Sequence, residues 1–318
     1  LSTKVYWDNS KEREEFKKFY DQYKQIEKLK EVDFIKYVKE KENGDFERAT
    51  FHPDYTYSQF VGSYKPIMGE DDQIKYEYVP GPFMRVLVDA LRSALDSKPK
   101  PYILLIEEIN RAKVAAVFGD VFQLLDRDDD GVSEYEIQAS EDIRKYLAKP
   151  EVLGGNPDNY RKLRIPNNMY IWATMNSADQ GVFPMDTAFK RRWSFEYLGI
   201  NEGEEKIKDK CIVDIPGSNE KIEWNALRKA INDKMSSADF KVNEDKLMGP
   251  YFIARKVIER GDTTEFIKVF TSKVIMYLYE DAVKQRSKYS AICDFFKTNG
   301  LEIFGKNFKT DYYDKYIG

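Results

Sequence analysis

Apolar residues along this 318-residue chain recur at two different periods, and the change from one to the other divides it. Between 10 and 42, Phe16, Phe19, Tyr20, Tyr23, Ile26 and Leu29 stand three or four apart among charges, the spacing of one face of an amphipathic helix. The block FERATFHPDY at 46–55 is β-prone, and PFMRVLVDALRSAL at 82–95 reads as a helix opened by Pro82, whose missing N–H would be unpaired in a first turn anyway. PYILLIEEI at 101–109 is a continuous apolar run, the pattern of a strand with both faces covered in a parallel sheet. AAVFGDVFQLLDR at 115–127 reads as helix, NMYIWATMN at 168–176 as a second buried strand, and DTAFKRRW at 186–193 as a short helix entered from Pro184. Strands alternating with helices predict an α/β sheet. Beyond about residue 200, WNALRKAINDKM and TTEFIKVFTSKVIMYLYEDAVKQR are long helices with little strand signal. Three parts are therefore expected: 1–45 mainly helical, 46–199 an α/β core, and 200–318 a helical second domain.

Composition narrows the chemistry more than the fold. Acidic and basic residues nearly balance, 55 against 51, so the whole-chain field gives no reason to expect sequence-independent attachment to nucleic acid. Cys211 and Cys293 are far apart with no CxxC, which fits a reducing compartment and provides neither a disulfide framework nor a zinc site. His52 is the only histidine, which removes histidine-based triads and HExxH metal sites. No run of 18 apolar residues exists and LSTKVYWDNS lacks the core of a signal peptide, so the expectation is a cytoplasmic protein with no membrane partner.

Against that background the end of the first apolar strand stands out, because Glu107 and Glu108 close it side by side. Carboxylates at the C-terminal end of a parallel strand sit at the edge where α/β proteins bind ligands. In a nucleotide-hydrolysing site one such acid holds Mg²⁺, usually through water, and the next polarises the attacking water; the competing reading is a solvated strand end. Asn176 closes the second buried strand, where an amide can hold a lytic water or a γ-phosphate. Asp179, three residues on, is either part of the same constellation or a turn residue. Lys190, Arg191 and Arg192 follow on the short helix, and a guanidinium there could stabilise charge on a transferring phosphoryl or simply face solvent.

The blocks ILLIEEINRA, FGDVFQLLDRDDDG and ATMNSADQGVFPMDTAFKRRW, with TFHPDYTYSQFVGSYKP at 50–66 and EDKLMGPYFI at 244–253, resemble the McrB-type AAA+ NTPases, GTP-driven motor subunits of modification-dependent restriction systems. The resemblance runs over roughly residues 46–285 in five blocks in the family's order. It implies an AAA+ P-loop-NTPase-like parallel-sheet core followed by a helical lid. It also implies roles: Glu107 on the Mg²⁺ side, where Asp is the commoner choice; Glu108 as catalytic acid; Asn176 as sensor 1, with Asp179 ordering its loop; Arg191 or Arg192 as a finger acting on a neighbouring subunit's nucleotide; Lys246 as a lid cation near phosphate. GTP or ATP as substrate, Mg²⁺ as cofactor, a homo-oligomeric ring, a nuclease partner of McrC type, and DNA engaged through associated parts come with it.

One departure bears on all of this. The phosphate-cradling GxxxxGK[ST] does not occur in the 318 residues, and Gly44 is the only glycine before Gly62. The expectation is a phosphate loop encoded outside this stretch; a nucleotide-free AAA+ scaffold or adaptor subunit and a degenerate loop are the alternatives. A MoxR-like or dynein-related protein-remodelling ATPase would share the same core motifs. Other features are weaker. DRDDDGVSEYEI places Asp126, Asp128, Asp130 and Gly131 like a calcium loop, but Ile137 stands where its bidentate Glu is needed, so an acidic hairpin turn is expected. His52 beside Asp54 reads as structural, Tyr55, Tyr57, Phe60 and Tyr64 as packing rather than a nucleic-acid platform, and Arg255 as surface charge.

Overall fold

The structure of the protein, a computed structural model, describes residues 4–8 along the backbone and 45–69, 72–176, 181–214, 221–238 and 241–278. The helix expected across 10–42 and the residues beyond 278 lie outside these. The chain divides into two compact units, Thr3–Tyr197 and Leu198–Gly318, the latter joined by Leu1–Ser2.

In chain order the first unit comprises β1 (Lys4–Asp8), β2 (Asp45–Thr50), α1 (Tyr57–Phe60), β3 (Gly62–Met68), β4 (Ile74–Pro80), α2 (Pro82–Ser93), β5 (Tyr102–Glu107), α3 (Val114–Phe118), β6 (Ile137–Gln138), α4 (Glu141–Leu147), β7 (Lys162–Leu163), β8 (Met169–Met175), α5 (Thr187–Lys190) and β9 (Trp193–Tyr197). Five of its strands form one sheet in the order β2-β5-β8-β1-β9. β2, β5 and β8 run parallel, with Thr50 opposite Glu107 and Ile106 opposite Ala173, whereas β1 is antiparallel to both β8 and β9. The segment expected to be mainly helical thus contributes a strand, and KVYWD has the β-branched and aromatic residues that favour one.

Burial follows position in the sheet. β5 lies between two strands and buries Ile103, Leu104, Leu105 and Ile106 in succession, because both of its faces are covered. β9 at the edge buries only Trp193, and Phe195 and Tyr197 further along the same face are exposed. α2 opens with Pro82 and packs Phe83, Met84, Leu87 and Ala90 into the core; Gly81 ahead of it must be glycine, since a Cβ there would stand 2.3 Å from the Phe60 carbonyl oxygen. The run expected to be one helix over 115–127 is instead two pieces. α3 stops at Phe118, Gly119 adopts φ +53°, and 3₁₀ turns carry on from Gly119 to Leu125.

The second unit is built around α6 (Trp224–Ser236), α7 (Arg255–Arg260) and α8 (Thr263–Val269), the last continuing as a π turn over Phe270–Ile275. Trp224, Leu227, Ile231 and Met235 recur along one face of α6 and pack with Phe266, Phe270 and Val274. Little strand was expected here, yet β10 (Ile212–Asp214) and β11 (Lys221–Glu223) form an antiparallel pair leading into α6. Three-residue strands carry too short an alternation to register as a period.

Candidate active site at the strand ends

β5 ends where its backbone turns. Glu108 adopts φ +55° and ψ +45°, a left-handed conformation that costs a residue with a Cβ roughly 1–2 kcal/mol, and a 3₁₀ turn over Ile109–Arg111 follows. Its backbone N–H donates to the Thr174 hydroxyl on β8 at 3.3 Å, so the neighbouring strand holds the kink. The turn also ends the alternation that would send adjacent side chains to opposite faces.

Each acid meets an arginine. Glu107 accepts from Arg48 at 3.0 Å and from the Thr50 hydroxyl at 2.9 Å, both on β2. Glu108 accepts from Arg111 at 3.2 Å, three residues along its own turn. The acids keep 29% and 37% of their side-chain surface exposed, so water screens both pairs and another cation could compete for either carboxylate.

Asn176 lies at the end of β8, the strand hydrogen-bonded beside β5, and is buried. Its backbone carbonyl accepts from the Asn110 side-chain amide at 2.8 Å. Asp179 lies outside the described residues. The chain returns at Gly181, and Phe183 donates its backbone N–H to the Asn110 carbonyl at 2.7 Å. α5 then starts from Asp186, whose carboxylate accepts the Phe189 N–H at 2.6 Å.

α5 separates the two arginines. Phe189 is buried against Phe118, Phe122 and Trp193 at ring separations of 5.5, 5.3 and 5.6 Å. In the turn that caps α5, Arg192 donates its backbone N–H to the Phe189 carbonyl at 3.2 Å and follows Phe189 inward, while Arg191 is left exposed. Arg192 is 7% exposed, donates to Asp126 at 2.9 and 2.7 Å and to the Ala188 carbonyl at 2.7 Å, and lies 4.1 Å from the centre of the Phe122 ring.

The same contacts explain the calcium-like run. Asp126 is taken up by Arg192, Asp128 accepts the Val132 N–H, and Arg127 pairs with Ser133 across a hairpin turn. Arg127 also donates to the carbonyls of Gly131 and Met169, fastening that hairpin to the start of β8. Of the four aromatics near the start, Phe60 is buried, Tyr55 stacks on Phe51 and Tyr57 donates to Asp120 at 3.0 Å. Burial and the neighbouring Asp120 carboxylate push the Tyr57 hydroxyl well above its usual range. Tyr64 departs from the packing reading: it is exposed on β3 and stacked with Tyr76 of β4. His52 is exposed beside Tyr55.

In the second unit Lys246 ends a 3₁₀ turn, its carbonyl accepting the Tyr277 hydroxyl at 2.5 Å, and Arg255 pairs with Glu259. The GPYFI block is architectural: the Pro250 carbonyl accepts the Trp224 indole N–H and Ile253 is wholly buried.

For Mg²⁺ the donor set fits on one side. Hard carboxylate oxygens at a strand end, with a hydroxyl beside them, suit a cation that keeps most of its waters and takes one or two protein carboxylates. Among the described residues no group of three or more His, Cys, Asp or Glu forms an all-protein cage.

Residues 34–193 match the family described as AAA domain (dynein-related subfamily). The chain is 42% identical over 261 residues to the type II restriction enzyme BsuMI component YdiS of Bacillus subtilis (strain 168), covering 75% of this chain and 71% of that protein. It is 29% identical over 145 residues to the type IV methyl-directed restriction enzyme EcoKMcrB subunit of Escherichia coli (strain K12), covering 46% of this chain and 26% of the McrB subunit. A solved Cytophaga hutchinsonii structure assigned to an ATPase covers 47% of this chain and 32% of its own at 19% identity and a TM-score of 0.27, too distant to add weight. The acids ending β5, the buried asparagine ending β8 beside it, and the matched span that contains both place this chain in the AAA family, as an AAA+ protein of the McrB type related to components of restriction systems.

Proposed function

We propose that the protein is a nucleoside-triphosphatase subunit of a homo-oligomeric ring that powers a restriction system acting on DNA with a nuclease partner of McrC type. GTP is the preferred nucleotide in this reading and ATP the alternative. The observation that carries it is the tie between β5 and β8, which sets Glu107 and Glu108 one strand away from Asn176. Mg²⁺, when bound, would supply positive charge against the phosphate oxygens. Glu107, with Thr50 beside it, would hold the metal's water shell, and Glu108 would accept a proton from the attacking water. Asn176 would orient that water or the terminal phosphate, with Asp179 ordering the loop beyond it. Arg191, the exposed member of the pair, would reach a neighbouring subunit's nucleotide, while Arg192 would hold α5 in place. Lys246 would serve as the lid's phosphate-side cation.

The test uses the full-length protein. Glu108→Gln keeps shape and removes the base, so nucleotide binding should persist while turnover falls by roughly 10² or more. Glu107→Gln should weaken Mg²⁺-dependent binding instead. Unchanged turnover in Glu108→Gln would sink the mechanism. One observation favours a second reading, a scaffold subunit that shapes the ring and lends its arginine without hydrolysing: both acids already have arginine partners. In that case Glu108→Gln would be silent and Arg191→Ala alone would lower the activity of a neighbouring hydrolysing subunit.

A further inference from the structure

The geometry points to Asn110 as a positioning residue that couples the two halves of the catalytic apparatus, the subunit's own strand-end acids and the arginine it presents to a neighbour. The inference rests on the reading above. Asn110 is 2% exposed and sits in the 3₁₀ turn two residues beyond Glu108. Its side-chain N–H donates to the carbonyl of Asn176 at the end of β8, and its own carbonyl accepts the N–H of Phe183, three residues ahead of the Asp186 cap of α5. One residue therefore touches all three elements that carry candidate chemistry: the acid turn, the asparagine strand, and the segment leading to Arg191.

A buried side chain with polar atoms normally satisfies all of them. Asn110 does not, because its side-chain oxygen is buried without a hydrogen-bond partner. An apolar residue of similar size would avoid that desolvation cost. Core packing alone gives no reason for an amide here, whereas tying β8 to the acid turn requires its N–H. If the turn shifts when Glu108 engages a ligand, both hydrogen bonds shift with it, and the arginine segment moves in step.

The two roles separate in mixed rings of the full-length protein. Glu108→Gln lacks the site but keeps the arginine, and Arg191→Ala lacks the arginine but keeps the site. Mixed equally, they should restore turnover at about a quarter of interfaces, by random assortment around a closed ring. Asn110→Ala should lower kcat by about 10- to 100-fold with KM nearly unchanged, as misplaced groups do, and should restore turnover with neither partner. Restoration with Arg191→Ala would show that Asn110 serves only the site, and restoration with Glu108→Gln that it serves only the arginine; either result overturns the proposal. Phe183→Pro removes the backbone bond together with the ring that Lys113 overlies, leaves the Asn110–Asn176 bond in place, and should behave as an arginine-side variant, restoring with Glu108→Gln alone, which keeps the test open if Asn110→Ala does not fold. Hydrogen exchange needs no nucleotide. Asn110→Ala should speed exchange together at the end of β8 and across 181–189 while α2 and α4 stay at parent rates. Faster exchange confined to 107–112, or spread over the whole chain, overturns the coupling. If Glu108→Gln and Arg191→Ala fail to restore each other, the proposed function falls and exchange alone decides the role of Asn110.

Discussion

Two regions of this protein place arginine next to acid, and they do so in opposite ways. At the end of β5, Arg48 and Arg111 each meet one carboxylate at an exposed position. In the second unit Arg228 is wholly buried on α6, donating to Asn225, to the Met248 carbonyl, to Asn201 and to Glu204, with Lys229 also on Glu204. A buried guanidinium has to saturate its donors, because no water replaces a missing partner, and a saturated network has a single geometry. An exposed pair is worth little and exchanges readily. Fixed networks hold shape, whereas solvent-facing pairs leave their carboxylates open to a metal or a water.

The largest effect expected from this contrast is at Arg228. Arg228→Ala strands the Asn225 side-chain oxygen inside the unit, leaves the Met248 carbonyl with the Asn232 amide as its remaining donor, and should cost about 3–5 kcal/mol of stability, the scale for breaking a buried charged network. Urea denaturation would check it, and a loss under about 1 kcal/mol would show that the network contributes little.

Next comes the arginine pair just beyond α5. Arg192→Ala removes the contacts to Asp126 and the Phe122 ring and should cost about 2–3 kcal/mol, whereas Arg191→Ala should stay within about 0.5 kcal/mol, the usual range for surface positions. The reverse order of melting temperatures would break the division of labour between them.

The smallest effect is a pH dependence in the second unit. The hydrogen bond from Lys229 foremost, with Asn225 and Arg228, holds the Glu204 carboxyl below its usual value of 4.5. A depressed carboxyl stabilises the fold above its unfolded value, and that stability is lost as pH falls through the folded one. The gap in stability between the parent and Glu204→Gln should therefore be full at neutral pH and shrink below pH 4.5. A gap that is flat from neutral pH to well below that value would show that the ion pairs with Glu204 add nothing.

Much of the first unit was legible along the chain. β5 and β8 announced themselves as unbroken apolar runs, and the acids and asparagine closing them pointed to one edge of one sheet. Arg228 was not legible, because it takes a core position on α6, four residues from Trp224, where the helical period predicts an apolar side chain. Spacing carried a hint all the same: it shares the stripe with Leu227 and Ile231. Asn110 was missed for a different reason. It lies inside ILLIEEINRA, but nothing local shows that its amide reaches a strand 66 residues further on.

Period and composition are local properties, and they were enough to mark β5 and β8 as buried, where those strands stop, and which residue types stand at their ends. Tertiary structure alone decided the rest. The direction of β1 depends on which neighbours it pairs with, since KVYWD can hydrogen-bond in either sense. The left-handed turn at Glu108 persists because Thr174 on another strand caps it. The choice between Arg191 and Arg192 came from Phe189, whose burial rolls α5 until one guanidinium faces Asp126 and the other faces solvent.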